Sequence, residues 1–142
     1  MSRGLLISST VAATLVLLGA ASGSLATASK LPGLDASGIG KPRVRPAQVN
    51  FGGDGSFYIT RMKWSQWAAD TAVGNGTGHV NDCKPYCAAG HFHRYAVSVQ
   101  ISRPKLCRDR AREFTRLTVR FVGRKPTNAP RRVRYHAGLG CP

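Results

Sequence analysis

The sequence predicts an all-β fold, a small antiparallel β-sandwich or barrel held by disulfide staples. Three observations predict it. Apolar and polar side chains alternate with a period of two over several segments, as in strands that have one face in water. The only helical candidate, KLCRDRAREF, has no apolar repeat at three or four positions. Four cysteines in a chain of 142 residues are typical of a small stapled domain.

The first predicted strand is SFYITRMKW, which is rich in aromatic and β-branched residues. If its side chains alternate strictly, Phe57 and Ile59 lie on the opposite face from Tyr58, Met62 and Trp64. Apolar side chains on both faces distinguish this strand from those that follow.

A stripe of glycines marks the second predicted strand, TAVGNGTGHVN at 71–81. Its three glycines share one face with Ala72 and Val80 if the segment is extended. Glycine in a strand often marks the close approach of another group. We therefore expect the indole of Trp64 or Trp67 to cover this stripe, as in aromatic rescue. The alternative is a tryptophan-lined ligand platform.

The cysteines of the chain number four, and an even count in a small secreted domain predicts two disulfides. Three pairings are possible. We favour Cys83–Cys87, which closes a five-residue turn, together with Cys107–Cys141. In the loop-entropy model these bridges are worth about 2 and about 4 kcal/mol.

A metal site is the alternative interpretation of the segment VNDCKPYCAAGHFHRY. The second ligand pair of a zinc site usually lies about a dozen residues on, whereas His91 follows Cys87 by three. A weaker candidate uses His91 and His93 on one strand face with His79 on a neighbouring strand. We favour a disulfide between the cysteines over a metal site. His93 is then expected to be hydrogen-bonded and partly buried, and His91 to lie in the turn. No metal or other cofactor is predicted.

The last three strands are predicted in YAVSVQI, RLTVRF and RRVRYH, where inward apolar residues alternate with polar ones. The solvent faces of these strands and the residues beside them carry five arginines, which are the candidate polyanion-binding residues. They are Arg94, Arg116, Arg120, Arg132 and Arg134.

The composition divides the chain into three parts. Residues 1–28 have the basic start, apolar run and small-residue cleavage motif of a secretory signal peptide. Residues 29–50 carry three prolines and three glycines without apolar periodicity, which predicts a solvated basic arm or linker. The folded β domain is expected over 51–142. Cleavage would leave 20 basic residues of the original 21 against 6 acidic ones, with no transmembrane segment.

The function classes are limited by what the sequence lacks. It contains no G-x-S-x-G, H-E-x-x-H or P-loop motif and no spacing that suggests a carboxylate pair, so no catalytic residue is predicted. We expect a secreted, non-catalytic basic domain that binds an anionic wall polymer, an anionic membrane surface or nucleic acid without sequence specificity. The alternatives are a solvated basic face without a ligand, a secreted enzyme with a histidine-based site, and an interaction module that presents the Cys83–Cys87 loop.

A family resemblance is carried by residues 62–102. This stretch resembles a group of uncharacterised small secreted proteins of high-GC Gram-positive bacteria, which share W-S-x-W, a glycine-rich run and V-N-D-C-x-P-x-C-A-x-G-x-F-H-x-Y. The sequence departs from the pattern at Ala68, where glycine is common. The resemblance implies an extracytoplasmic β domain with a Cys83–Cys87 bridge, and it carries no activity or ligand. The matching residues are Trp64, Ser65, Trp67, Ala72, Gly74, Gly76, Thr77, Val80, Asn81, Asp82, Cys83, Pro85, Cys87, Ala88, Gly90, Phe92, His93 and Tyr95.

Overall fold

The all-β class is confirmed by the computed structural model, which describes residues 30–36, 41–51, 55–107 and 110–137. These residues form six strands and no helix. None of them therefore belongs to a helix long and apolar enough to cross a membrane. The strands are β1 (Val49–Phe51), β2 (Phe57–Trp67), β3 (Thr71–Asn81), β4 (Phe92–Leu106), β5 (Arg112–Phe121) and β6 (Arg132–His136).

The six strands form one antiparallel sheet in which each strand lies beside its neighbours in sequence. The sheet curls into a half-barrel, so that its two edge strands approach each other. The rings of Phe51 on β1 and Tyr135 on β6 have centroids 4.4 Å apart. The architecture is therefore closer to the predicted barrel than to a two-sheet sandwich.

The hydrophobic core lies on the concave, inner face of the sheet. The predicted alternation in β4 and β5 is confirmed, because the inward residues are buried and those between them are more exposed. In β6 the inward Val133 and Tyr135 are partly buried and pack against the core. The buried side chains of β4 and β5 in this core include Val97, Val99, Ile101, Leu117, Val119 and Phe121.

The faces of β2 differ from the prediction because this strand contains two bulges. Its register against β3 shifts twice, the first time between Thr60 and Lys63. Each shift inserts one extra residue, which bends the strand and reverses the order of inward and outward side chains. Met62 and Trp64 therefore face inward with Ile59, and the prediction that they lie on opposite faces was wrong.

The glycine stripe of β3 is covered as expected. A Cβ atom on Gly74 would lie 2.8 Å from Cε3 of the Trp64 indole, and one on Gly76 would lie 2.7 Å from Sδ of Met62 and 2.8 Å from Cγ2 of Ile59. The prediction is thus confirmed for Trp64 at Gly74, whereas aliphatic side chains cover the next glycine. The indole is part of the packing and not an open platform.

Residues 30–36 pack on the fold, and here the expected solvated arm was wrong. Leu34 is 1% exposed and belongs to the core. Gly33 N donates to Arg112 O at 2.8 Å, and Phe114 N donates to Gly33 O at 2.9 Å. Trp67 Nε1 donates to Pro32 O at 2.9 Å. The fold therefore begins well before the boundary expected at residue 51.

The same segment also reaches the opposite edge of the sheet. Asn50 N on β1 donates to Ala36 O at 2.7 Å, while Gly33 pairs with Glu113 of β5. A curled sheet leaves backbone groups unpaired at both edges, and buried backbone groups need partners. Residues 33–36 supply those partners through their backbone, which is why no side-chain periodicity revealed their position.

The disulfide between Cys83 and Cys87 is confirmed. No cysteine within the described ranges is free. The predicted partner of Cys107, Cys141, lies outside these ranges, as does the predicted signal peptide at 1–28.

Candidate polyanion-binding face

Four of the five predicted arginines lie on two adjacent strands, on the convex face opposite the core. We call Arg116, Arg120, Arg132 and Arg134 the β5–β6 arginine cluster. Arg120 is directly opposite Arg132 in the register, and Arg134 is opposite Thr118. Residues that are directly opposite on antiparallel strands share a face, so these four side chains project into the same solvent region.

The fifth arginine, Arg94, lies on the same outer face at the other end of the sheet. It is opposite His79 on β3, which is in turn opposite Tyr58 on β2. Arg61 joins this group from the first bulge of β2, because its Nη2 donates to Thr77 Oγ1 at 3.1 Å. The sequence-based list of arginines did not include Arg61, since the bulge that aims it outward leaves no signal in the alternation.

The cations of the outer face have no carboxylate opposite them in the described strand register. Its basic residues are Arg61, Lys63, Arg94, Arg116, Arg120, Arg132 and Arg134. Three of the described acidic residues lie outside the strands: Asp35 in the N-terminal segment, Asp70 in the β2–β3 turn and Asp82 in the β3–β4 loop. The fourth, Glu113, is buried at the start of β5 and is opposite Lys105. Like charges directly opposite each other, such as Arg120 and Arg132, destabilise a strand pair. A bound anion would relieve this repulsion.

A partly exposed ring cluster accompanies the arginines at the loop end of this face. Tyr58 stacks on His79 with ring centroids 4.5 Å apart and an interplanar angle of 8°. The ring of Phe92 lies 5.3 Å from that of Tyr58 and is tilted by 60°. Phe92 is 45% exposed. We call Tyr58, His79 and Phe92 the ring cluster.

His79 is held within this cluster by its neighbours. Its Nε2 lies 2.9 Å from Thr60 Oγ1. The pKa of His79 is lowered by burial first, and further by the charges of Arg94 and Arg61. The lowered pKa favours the neutral ring, and the two arginines supply the positive charge of this end.

The β3–β4 loop is organised around Asp82. Its Oδ1 accepts from His91 N at 2.9 Å and from Lys84 N at 3.2 Å, and its Oδ2 lies 3.0 Å from His93 Nε2. An ionised carboxylate only accepts, so Nε2 of His93 donates in this pair. Hydrogen bonds from His93 first and from the backbone of His91 next hold the pKa of Asp82 at about 2, below its ordinary value of 3.8.

The three histidines of the weaker metal hypothesis do not converge. His79 lies on the outer face, whereas His93 is opposite Val80 and shares the other face. His91 precedes β4, which begins at Phe92, so the expectation that His91 and His93 share a strand face was wrong. His91 lies in the turn as favoured, and His93 is hydrogen-bonded but exposed rather than partly buried. The described residues contain no group of three or more histidine, cysteine or acidic side chains that could hold a metal ion.

No family model, curated protein or solved structure matches this chain. The resemblance indicated by the V-N-D-C motif therefore stays a prediction. The functional argument rests on the geometry of the outer face and of the β3–β4 loop.

Proposed function

We propose that the protein is a secreted, non-catalytic domain that binds polyanions through the outer face of its sheet. The observation that carries the proposal is the set of seven outer cations, none of which has a carboxylate opposite it in the strand register. Guanidinium groups suit phosphate oxygens because their planar fork can donate two hydrogen bonds at once. Wall polymers, anionic membranes and nucleic acids all present such phosphates.

Binding to such a face is driven by the release of counterions from the polyanion. Each neutralised phosphate frees condensed cations, so affinity falls steeply as salt rises. Phosphate contacts carry no base information, which predicts little sequence preference. The strand register sets the backbone positions of these arginines at fixed spacings along the face.

The test removes two outer arginines together. The double variant Arg132→Ala/Arg134→Ala should bind polyphosphate and duplex DNA about tenfold more weakly at low salt, because two phosphate contacts are lost. Affinity is measured by titration at two salt concentrations. Lys30→Ala/Lys41→Ala is the matched control, since it removes the same charge from exposed positions of the N-terminal segment.

Equal weakening in both double variants would mean that overall charge, and not the outer face, attracts the polyanion. Binding that is unchanged by salt would contradict the proposal outright. The proposed secretion is tested separately by mass spectrometry of protein from the culture supernatant, which should show an N-terminus at Ser29 and no free thiol.

A second function, presentation of the disulfide loop to a protein partner, is favoured by one observation. Tyr86 lies between the bridged cysteines and is 63% exposed. The loop beneath it is held by hydrogen bonds from Asn81 Nδ2 to Cys87 O and from Lys84 N to Asp82 Oδ1. A cross-linker at position 86 should then capture one discrete partner on cells. The same cross-linker at Leu106, which is 67% exposed, should not. Identical products at both positions would dismiss this function.

A further inference from the structure

The ring cluster adds apolar surface to one end of an otherwise polar and basic face. Phe92 is 45% exposed although it begins a strand, and its ring lies tilted against Tyr58, which stacks on His79. Water is in contact with aromatic carbon here, and a flat ring from a ligand would replace that water.

Two guanidinium groups border the same rings. Arg94 is directly opposite His79, and Arg61 is fixed by its hydrogen bond to Thr77, two residues from His79 on the same face. Burial first, and then the charges of Arg94 and Arg61, lower the pKa of His79. Exposed rings beside guanidinium groups are the combination that binds single-stranded nucleic acids, where bases stack and the phosphates pair with cations.

We propose that the ring cluster with Arg61 and Arg94 is a stacking site for an unpaired base, so that the preferred polyanion of the outer face is a single-stranded nucleic acid. The inference rests on the proposed polyanion binding and names its ligand class. Wall polymers, polyphosphate and anionic lipids offer phosphate without a flat aromatic ring. In a duplex the bases are stacked on each other and unavailable to Phe92.

The sheet also provides a track from this site to the β5–β6 arginine cluster. Along β4, Arg94 is followed four residues later by Ser98, which is opposite Arg120. At about 3.3 Å per residue the two arginines are separated by roughly 13 Å along the strand. The outward side chains between and beside them include Ser98, Gln100 and Thr118, which are uncharged hydrogen-bonding groups. A strand of a few nucleotides can therefore contact both ends.

The test compares a 12-nucleotide single strand with an abasic strand of the same length and charge. The wild-type protein should bind the normal strand about tenfold more tightly, because base–aromatic stacking adds to the phosphate contacts. Phe92→Ala should lower the affinity for the normal strand about tenfold and so abolish this preference, because the stacking partner of the base is lost. Leu106→Ala is the matched control, since it removes another exposed apolar side chain from β4. Circular dichroism establishes that each variant is folded.

Phe92→Trp provides a second measurement that does not rely on truncation. The indole at position 92 should retain the preference for the normal strand, and its fluorescence should be quenched by that strand but not by the abasic one. Because Trp64 and Trp67 also fluoresce, the signal of the indole at position 92 is taken as the difference between the variant and the wild type.

The possible outcomes separate this inference from the proposed function. If no anionic probe binds, the proposed polyanion function fails. If the abasic strand, polyphosphate or a teichoic acid binds as tightly as the normal strand, the stacking site is wrong and the polyanion function stands. Equally tight binding of duplex DNA, or a Phe92→Ala variant that weakens both strands alike, would also overturn the stacking site.

Discussion

Gly74 shows how a missing side chain determines the packing of one face. A Cβ atom there would lie 2.8 Å from both Lys63 O and Cε3 of Trp64. A backbone oxygen and a fixed indole cannot move aside cheaply, so Gly74→Ala should reduce the free energy of unfolding by about 1–3 kcal/mol, the usual cost of overpacking. Urea denaturation monitored by tryptophan fluorescence measures this.

The last glycine of the same stripe provides the control. At Gly78 the nearest atoms to an added Cβ are the side-chain atoms Val97 Cγ1 at 3.1 Å and Phe57 Cε2 at 3.3 Å. These need to move by only a few tenths of an ångström, so Gly78→Ala should be tolerated better than Gly74→Ala. Equal losses in the two variants would show that the indole does not determine the requirement for glycine.

Asp82 makes the β3–β4 loop sensitive to acid. Its pKa of about 2 in the folded chain is below its ordinary value of 3.8, so its ionised form favours folding at every pH above about 4. As the pH falls from 4 towards 2, this contribution is lost. Asp82→Asn should therefore show a smaller loss of unfolding free energy over that interval than the wild type.

The matched control for this measurement is Asp70→Asn, which removes an exposed carboxyl in the β2–β3 turn. Urea unfolding is measured at several pH values from 2 to 5 for all three proteins. If Asp82→Asn shows the same pH dependence of the unfolding free energy as the wild type, the hydrogen bonds from His93 and His91 do not lower the pKa of Asp82 in solution.

At the scale of the strands, the alternation of apolar and polar residues predicted which side chains face inward wherever strand pairing is regular. It failed where the backbone is irregular. The inward residues of β4 and β5 followed directly from a period of two. The reversal of faces in β2 could not be predicted in this way, because it depends on Arg61 having a φ of 53°. A positive φ is usual for glycine, and here the residue is an arginine. Likewise, Gly33 and Ala36 bridge the sheet edges through backbone atoms that every residue has.

The bridging segment should be indispensable for stability. Leu34→Ala removes a side chain that is 1% exposed, so the free energy of unfolding should fall by about 2–5 kcal/mol from lost burial and the cavity left behind. Leu31→Ala is the matched control, because Leu31 is 41% exposed in the same segment. Chemical denaturation of both variants gives the comparison. If Leu34→Ala is as stable as the wild type, the segment is a solvated arm, as the composition predicted.

At the scale of the whole molecule, the sequence predicted the basic face of the sheet but not the ring cluster beside it. The alternation of β5 and β6 was enough to place Arg120, Arg132 and Arg134 on a solvent face. The ring cluster could not be predicted in the same way. Tyr58, His79 and Phe92 come from three strands, and only the register across β2, β3 and β4 brings them together. Periodicity within one strand contains no information about that register.

The net charge of +15 implies that stability and binding respond to salt in opposite directions. In the free protein, outer arginines repel one another, and Arg120 and Arg132 are directly opposite. Salt screens that repulsion, so the free energy of unfolding should rise between low and moderate salt. Polyanion affinity should fall over the same range because counterion release becomes less favourable.

Arg132→Thr should separate the two effects within one variant. Removing one member of the like-charge pair should raise the free energy of unfolding at low salt by up to about 1 kcal/mol, and this gain should shrink as salt is added. The same change should weaken duplex binding and lower the slope of log affinity against log salt by about 0.9, the value for one lost phosphate contact. Denaturation and titration over one salt series measure both quantities. A variant that is less stable than the wild type at low salt, yet binds as before, would show that Arg132 packs along the sheet for stability and takes no part in binding.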